Sequence, residues 1–115
     1  MAKSRSSAAV KLRDAAPVFA ALGDDTRLEL VVRLCSSGPQ SIVRLSQGAS
    51  VTRQAITKHL HILAEAGLVS STREGREQIW EILPKRMAEA RHYLDLISEQ
   101  WDDAIERLRS FVETD

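Results

Sequence analysis

Between Met87 and Phe111 an apolar residue recurs at two positions of every seven, with Met87, Leu94, Trp101 and Leu108 on one row and Ala90, Ile97, Ala104 and Phe111 on the other. Only an α-helix gathers such residues on one side, because its turn of about 3.6 residues nearly matches half of a seven-residue repeat. Pro84 opens that helix, in a first turn where its missing N–H is no loss. The predicted helix, residues 84–115, is over about 40 Å long at 1.5 Å per residue. The rest of the chain is too small to need so long a seam, so the seam predicts a partner. Large seam residues contribute about 1.5–3 kcal/mol each on burial, on the order of 10 kcal/mol together before association costs, which makes a homodimer plausible.

Residues 1–12 mix Ser, Ala and Lys without periodicity and are expected to form a flexible N-terminal arm. Val18, Phe19 and Leu22 lie at helical spacing before Gly23 and predict a short helix that joins the dimer interface. Asp24 or Asp25 can cap a second helix running to about Cys35, whose apolar residues crowd more than one face. A breaker cluster, Ser36-Ser37-Gly38-Pro39, separates it from a short helical piece over residues 41–46, and Gln47-Gly48-Ala49-Ser50 forms a turn. From Thr52 the period sharpens: Ile56, Leu60 and Leu63 share one stripe of a helix that Gly67 stops. Beyond it, residues 68–72 and 78–82 are β-prone runs flanking Arg73-Glu74-Gly75-Arg76-Glu77, where glycine supplies the positive φ of a hairpin turn. The predicted fold is mostly α with a two-stranded β-wing: a winged helix-turn-helix over residues 13–83, then a dimerisation helix over 84–115.

The net charge is zero, which looks unpromising for a nucleic-acid binder, but its distribution is uneven. Residues 1–83 hold 11 Lys and Arg against 8 Asp and Glu, whereas residues 84–115 hold 5 against 8. Between residues 40 and 73 the basic side chains are Arg44, Arg53, Lys58 and Arg73, and the acidic one is Glu65. The outward face of the Thr52 helix carries Arg53, Gln54, Thr57, Lys58 and His61, all hydrogen-bond donors. Arg can donate twice to guanine and Gln can pair with adenine in the major groove, so this face suits base edges. Thr52 belongs with it at the helix N-terminus, where free amides favour phosphate. His59 sits between the core and groove sides, either touching phosphate or filling a polar boundary. Arg73 and Arg76 flank the hairpin, placed to hold phosphate or enter the minor groove.

The segments Ala21-Leu22-Gly23-Asp24-Asp25-Thr26-Arg27-Leu28, Ile56-Thr57-Lys58-His59-Leu60-His61-Ile62-Leu63, Ala66-Gly67-Leu68-Val69 and Arg73-Glu74-Gly75-Arg76 resemble the ArsR-type repressors, in the same order, over residues 15–83. The resemblance implies a dimeric winged-helix repressor that binds a palindromic operator in double-stranded DNA and is released by a signal. The long tail with Trp101, Leu108 and Phe111 is similar to the branch of that family without metal-binding cysteines, which includes autorepressors. Family members that sense metal use paired cysteines on the first helix of the motif or His and acidic ligands on the last. Here residues 41–45 hold no cysteine, and the last helix offers only His92 with Asp95. No metal and no cofactor are expected, and the effector is left open.

Other classes are disfavoured. The single Cys35 excludes an intramolecular disulfide and a thiolate-rich zinc site, and its apolar helix suggests inert packing. No run of residues reaches membrane-span length and the N-terminus lacks a signal-peptide core, so a cytoplasmic protein is expected. No phosphate loop, nucleophile motif or acid-base cluster points to an enzyme. Trp80 and Trp101 are expected to pack at the wing base and the dimer seam.

Overall fold

The computed structural model describes residues 15–113; the arm expected over residues 1–12 lies outside them. Helix α1 occupies residues 15–22. It is followed by α2 (Asp25–Ser37), β1 (Gln40–Ser41), α3 (Ile42–Ser46), α4 (Arg53–Glu65), β2 (Val69–Glu74), β3 (Glu77–Ile82) and α5 (Pro84–Glu113). Among the described residues no helix is long and apolar enough to cross a membrane.

Three helix starts have a local cause. The carboxylate of Asp24 accepts from the Arg27 N–H at 3.0 Å and caps α2. Ser41 caps α3 by accepting from the Arg44 N–H, and Thr52 caps α4 by accepting from the Ala55 N–H. Such side chains satisfy amides that the helix itself leaves unpaired. Helix α4 ends at Glu65, and just past it the Gly67 N–H donates to the Ala64 carbonyl while the Gly67 φ of 79° turns the Leu68 N–H onto the Leu63 carbonyl. The chain then enters β2 directly.

The core is a single cluster: Val18 and Ala21 from α1, Leu30, Val31 and Leu34 from α2, Leu45 from α3, Ile56, Leu60 and Leu63 from α4, Leu68 and Val69, Trp80 and Ala90. The stripe expected on α4 is thus its buried face. Three expectations need correction. Val18, expected at a dimer interface, is 2% exposed and belongs to the monomer's own core, while Phe19, Leu22 and Met87 pack half-buried against that core. Cys35 is exposed, because the buried row of α2 is Leu30, Val31 and Leu34 and Cys35 falls with Leu28 and Val32 on the other side.

The third correction concerns the sheet, which has three antiparallel strands in the order β1-β3-β2. Gln40 pairs with Trp80 and Ser41 with Ile79, so β1 covers the edge of the wing that the two-stranded expectation left open. The pairing also satisfies backbone groups of Gln40 and Ser41, both buried. The β2–β3 register runs from Val69 opposite Ile82 to Glu74 opposite Glu77, leaving Gly75 and Arg76 as a two-residue turn. Gly75 has φ of 63° and Arg76 does not have a positive φ, which is the type II′ pattern suited to twisted hairpins.

Helix α5 leaves this body behind. Its buried residues are Ala90 and Tyr93, near its start. From Leu94 to Glu113 it projects for about 30 Å at 1.5 Å per residue. The radius of gyration, 18.8 Å, reflects that projection, since a compact chain of this length has one of about 13 Å. Leu94, Ile97, Trp101, Leu108 and Phe111 are all exposed on it, with Ile105 and Val112 beside them.

Gly67 offers a stability test, since a Cβ there would adopt an unfavourable φ and lie 3.0 Å from the Arg86 side chain. Gly67→Ala is expected to lower unfolding free energy by about 1–2 kcal/mol, mainly through the left-handed backbone. Urea unfolding followed by circular dichroism checks it, and an unchanged midpoint would contradict the assignment.

Candidate nucleic-acid interface

Helices α3 and α4 are joined by a tight turn, and α4 presents Thr52, Arg53, Gln54, Lys58 and His61 as exposed residues. Their exposure follows from the core, because Ile56, Leu60 and Leu63 fix the opposite side of the helix. Thr57 is half-buried and its hydroxyl donates to the Arg53 carbonyl at 3.0 Å, which stiffens the first turn. No acidic residue stands in that turn. Among the described residues, none of Arg53, Lys58, Arg73 and Arg76 forms an ion pair, although Glu74 and Glu77 share the hairpin with Arg73 and Arg76.

Helix α3 is held in place from below. Arg33 on α2 donates to the Leu45 carbonyl at 2.8 Å and to the Arg44 carbonyl at 3.0 Å, satisfying two carbonyls at the end of that short helix. Nothing local in the sequence signals this clamp, since its partners lie 11 and 12 residues away.

His59 lies at a junction of helices. Its Nδ1 lies 3.3 Å from Arg27 Nη1 and 3.8 Å from Asp24 Oδ2. A guanidinium can only donate, so at the shorter contact the imidazole nitrogen accepts and the other ring nitrogen carries the proton. Arg27 also donates through Nε to the Ala21 carbonyl at 2.6 Å. Arg27 therefore ties three elements together, its guanidinium joining the end of α1 to the middle of α4 and its backbone N–H holding the cap of α2. The Arg27 N–H, and beyond it the Arg27 guanidinium, hold the Asp24 carboxyl below the usual aspartate range against the cost of desolvation. His59, half-buried in this junction, stands at the polar boundary between the core and groove sides of α4.

On the wing, Arg76 occupies the turn itself and Arg73 lies on β2 opposite Gln78, both exposed. Gln78 Nε2 donates to Ser71 Oγ across the hairpin at 2.8 Å, which braces it. At the wing root the Trp80 indole is 2% exposed, and the His61 ring meets it edge-on, with centroids 5.6 Å apart and planes at 87°. This ring pair joins α4 to β3 and could not be anticipated from spacing along the chain. Among the described residues no group of three His, Cys, Asp or Glu side chains is placed to hold a metal ion. His92 stands exposed beside Tyr93, its ring 6.1 Å away.

These elements have counterparts in known proteins. Residues 22–72 match a helix-turn-helix domain family. An HTH-type transcriptional regulator of Methanocaldococcus jannaschii is 32% identical over 79 residues, covering 69% of this chain and 89% of that protein. The arsenical resistance operon repressor of Escherichia coli is 27% identical over 95 residues, covering 83% of this chain and 79% of that protein. Among solved structures, an ArsR-like transcriptional regulator from Rhodococcus is 35% identical with a TM-score of 0.71, over 87% of this chain and 93% of that one. The helix-turn-helix, the wing at its end and these likenesses agree, and the chain belongs to the ArsR-type helix-turn-helix transcriptional regulators.

Proposed function

We propose that the chain is a repressor that binds a palindromic operator as a homodimer, through the exposed donor face of α4 and the wing. The observation that carries this reading is the position of Arg53, Gln54, Lys58 and His61 on one exposed helix face beside a hairpin tipped by Arg76. An α-helix fits the major groove, and a face of donors without carboxylates matches the acceptors displayed there. Arg53 and Gln54, on the first turn, are the base readers, joined by His61. Lys58 and Thr57 serve the groove wall, while the Thr52 cap places the first amides of α4 toward phosphate. Arg73 and Arg76 hold the backbone on the flank.

Two such faces are needed for a palindrome, and α5 supplies the means to present them. Its projecting stripe (Leu94, Ile97, Trp101, Leu108 and Phe111) is the dimerisation surface, with Met87, Phe19 and Leu22 at its margin. Residues 13–83 act as the DNA-binding unit and 84–115 as the dimerisation helix. Pairing sets the two α4 helices on successive major grooves about 34 Å apart. Repression is supported by the likeness to the Escherichia coli arsenical resistance operon repressor.

The test is a comparison of substitutions on DNA selected by the protein from a randomised duplex library. Arg53→Ala or Gln54→Ala is expected to cost about 1–3 kcal/mol on the selected site and to relax preference at one position per half-site. Arg76→Ala is expected to weaken all sequences alike and to lower the slope of log affinity against log salt by about 1 per subunit. Fluorescence anisotropy across a salt series reads both. Equal affinities for parent and variants would remove α4 and the wing from recognition.

A further inference from the structure

We propose that Trp80 is a positioning residue for base reading: it holds the His61 imidazole at the wing root, so that the set of the wing decides where His61 points. The proposal rests on the DNA-binding reading above and adds to it a coupling between two elements that would otherwise act independently.

His61 differs from the other exposed donors of α4 in having an aromatic wall. A histidine in open solvent samples several rotamers, whereas one packed edge-on against a fixed ring keeps an arrangement that the ring quadrupoles favour. The wall here is fixed by its neighbours, since Trp80 lies on the central strand β3 and pairs with Gln40 on β1 and with Ser71 on β2. The indole itself has no polar anchor: its Nε1 is buried without a hydrogen-bond partner. A buried unpaired N–H is costly, and a plain hydrocarbon ring would avoid that cost. An indole held by packing alone follows its strand when the strand shifts, with no hydrogen bond to break. Four residues earlier on the same hairpin stands Arg76, about 13 Å away at 3.3 Å per residue. A phosphate taken by Arg76 therefore loads the strand whose far end carries the His61 contact, and wing binding and base reading become one event.

The experiment uses the full chain and the duplex that the parent selects from a randomised library, with its single-base-pair variants, in anisotropy at fixed salt. His61→Ala is expected to flatten preference at one position per half-site by about fivefold or more. Trp80→Leu is expected to flatten the same position, Trp80→Phe to keep most of the preference, and the His61→Ala, Trp80→Leu pair to be no flatter than either alone. Effects that multiply, or a Trp80→Leu chain with unchanged preference, overturn the proposal. Should Trp80→Leu fail to fold, a second readout decides. Trp80 and Trp101 are the two tryptophans of the chain, so the difference in emission between the parent and Trp80→Phe, with the α5 stripe intact in both, reports Trp80. His61→Ala is expected to alter that emission, and the selected duplex to alter it only when His61 is present. Emission indifferent to both overturns the coupling. A parent that selects no duplex even at low salt overturns the DNA-binding reading and this inference together, an outcome distinct from a multiplicative cycle on a chain that binds.

Discussion

Replacing Leu94 and Trp101 together by glutamate is expected to yield a folded monomer that binds its duplex at least about a hundredfold more weakly than the parent. Both side chains project from α5 beyond the last residues it buries, with exposures of 53% and 66%, so neither supports the body. Introducing charge there costs the monomer little, because the carboxylates remain in water. In a dimer the same carboxylates would meet across a dry seam, and an unpaired buried charge is far more costly than a lost apolar contact. The loss of DNA affinity follows from geometry, because two linked half-site contacts gain an effective concentration that separate monomers lack. Sedimentation equilibrium reads the mass and anisotropy reads the affinity. The parent's thermal midpoint should rise with protein concentration, while the variant's should not. A variant that stays dimeric would move the interface off the projecting half of α5, and one that is monomeric yet binds as tightly as the parent would separate dimerisation from recognition.

What could be read from the residues alone was what repeats with a local period or sits at a local turn. The stripe of Ile56, Leu60 and Leu63, the stop at Gly67, the hairpin around Gly75 and the long helix α5 are all of that kind, and each is present where expected. The features that escaped depend on where distant segments land. Strand β1 is two residues long and follows Pro39, so it carries no period; it exists because β3 offers it an open edge. The Arg33 clamp and the Arg27 junction join residues from 6 to 32 positions apart. Val18 and Cys35 differ from expectation for a related reason. Apolar spacing shows that a helix has an inner face, but which neighbour covers it is decided by packing, and the body covers Val18 while leaving Cys35 outside. The candidate site was legible as a set of donors on α4, whereas the contacts of His59 with Asp24 and Arg27 depend on the position of α2.

Leu60→Ala is the complementary case, a substitution expected to cost stability while sparing recognition. Leu60 is 0% exposed and lies midway between Ile56 and Leu63 on the buried face of α4. Truncating it leaves a cavity lined by a core that closes only in part, at a cost of about 3 kcal/mol or more. That is a large share of a total stability of about 5–15 kcal/mol for a domain. Yet none of the side chains assigned to DNA lies on that face, and the Thr52 cap and the Arg53 carbonyl bond at the start of α4 do not involve Leu60. Well below its lowered midpoint, the variant should therefore select the same bases as the parent, with affinity within about threefold once the folded fraction is accounted for. Arg53→Ala should show the reverse pattern, with stability within about 0.5 kcal/mol of the parent and base preference relaxed. Denaturant melts and anisotropy on the same preparations give the two axes. If Leu60→Ala instead relaxes base preference in fully folded protein, the core and groove faces of α4 are not independent, and the rigidity of that helix is itself part of how the sequence is read.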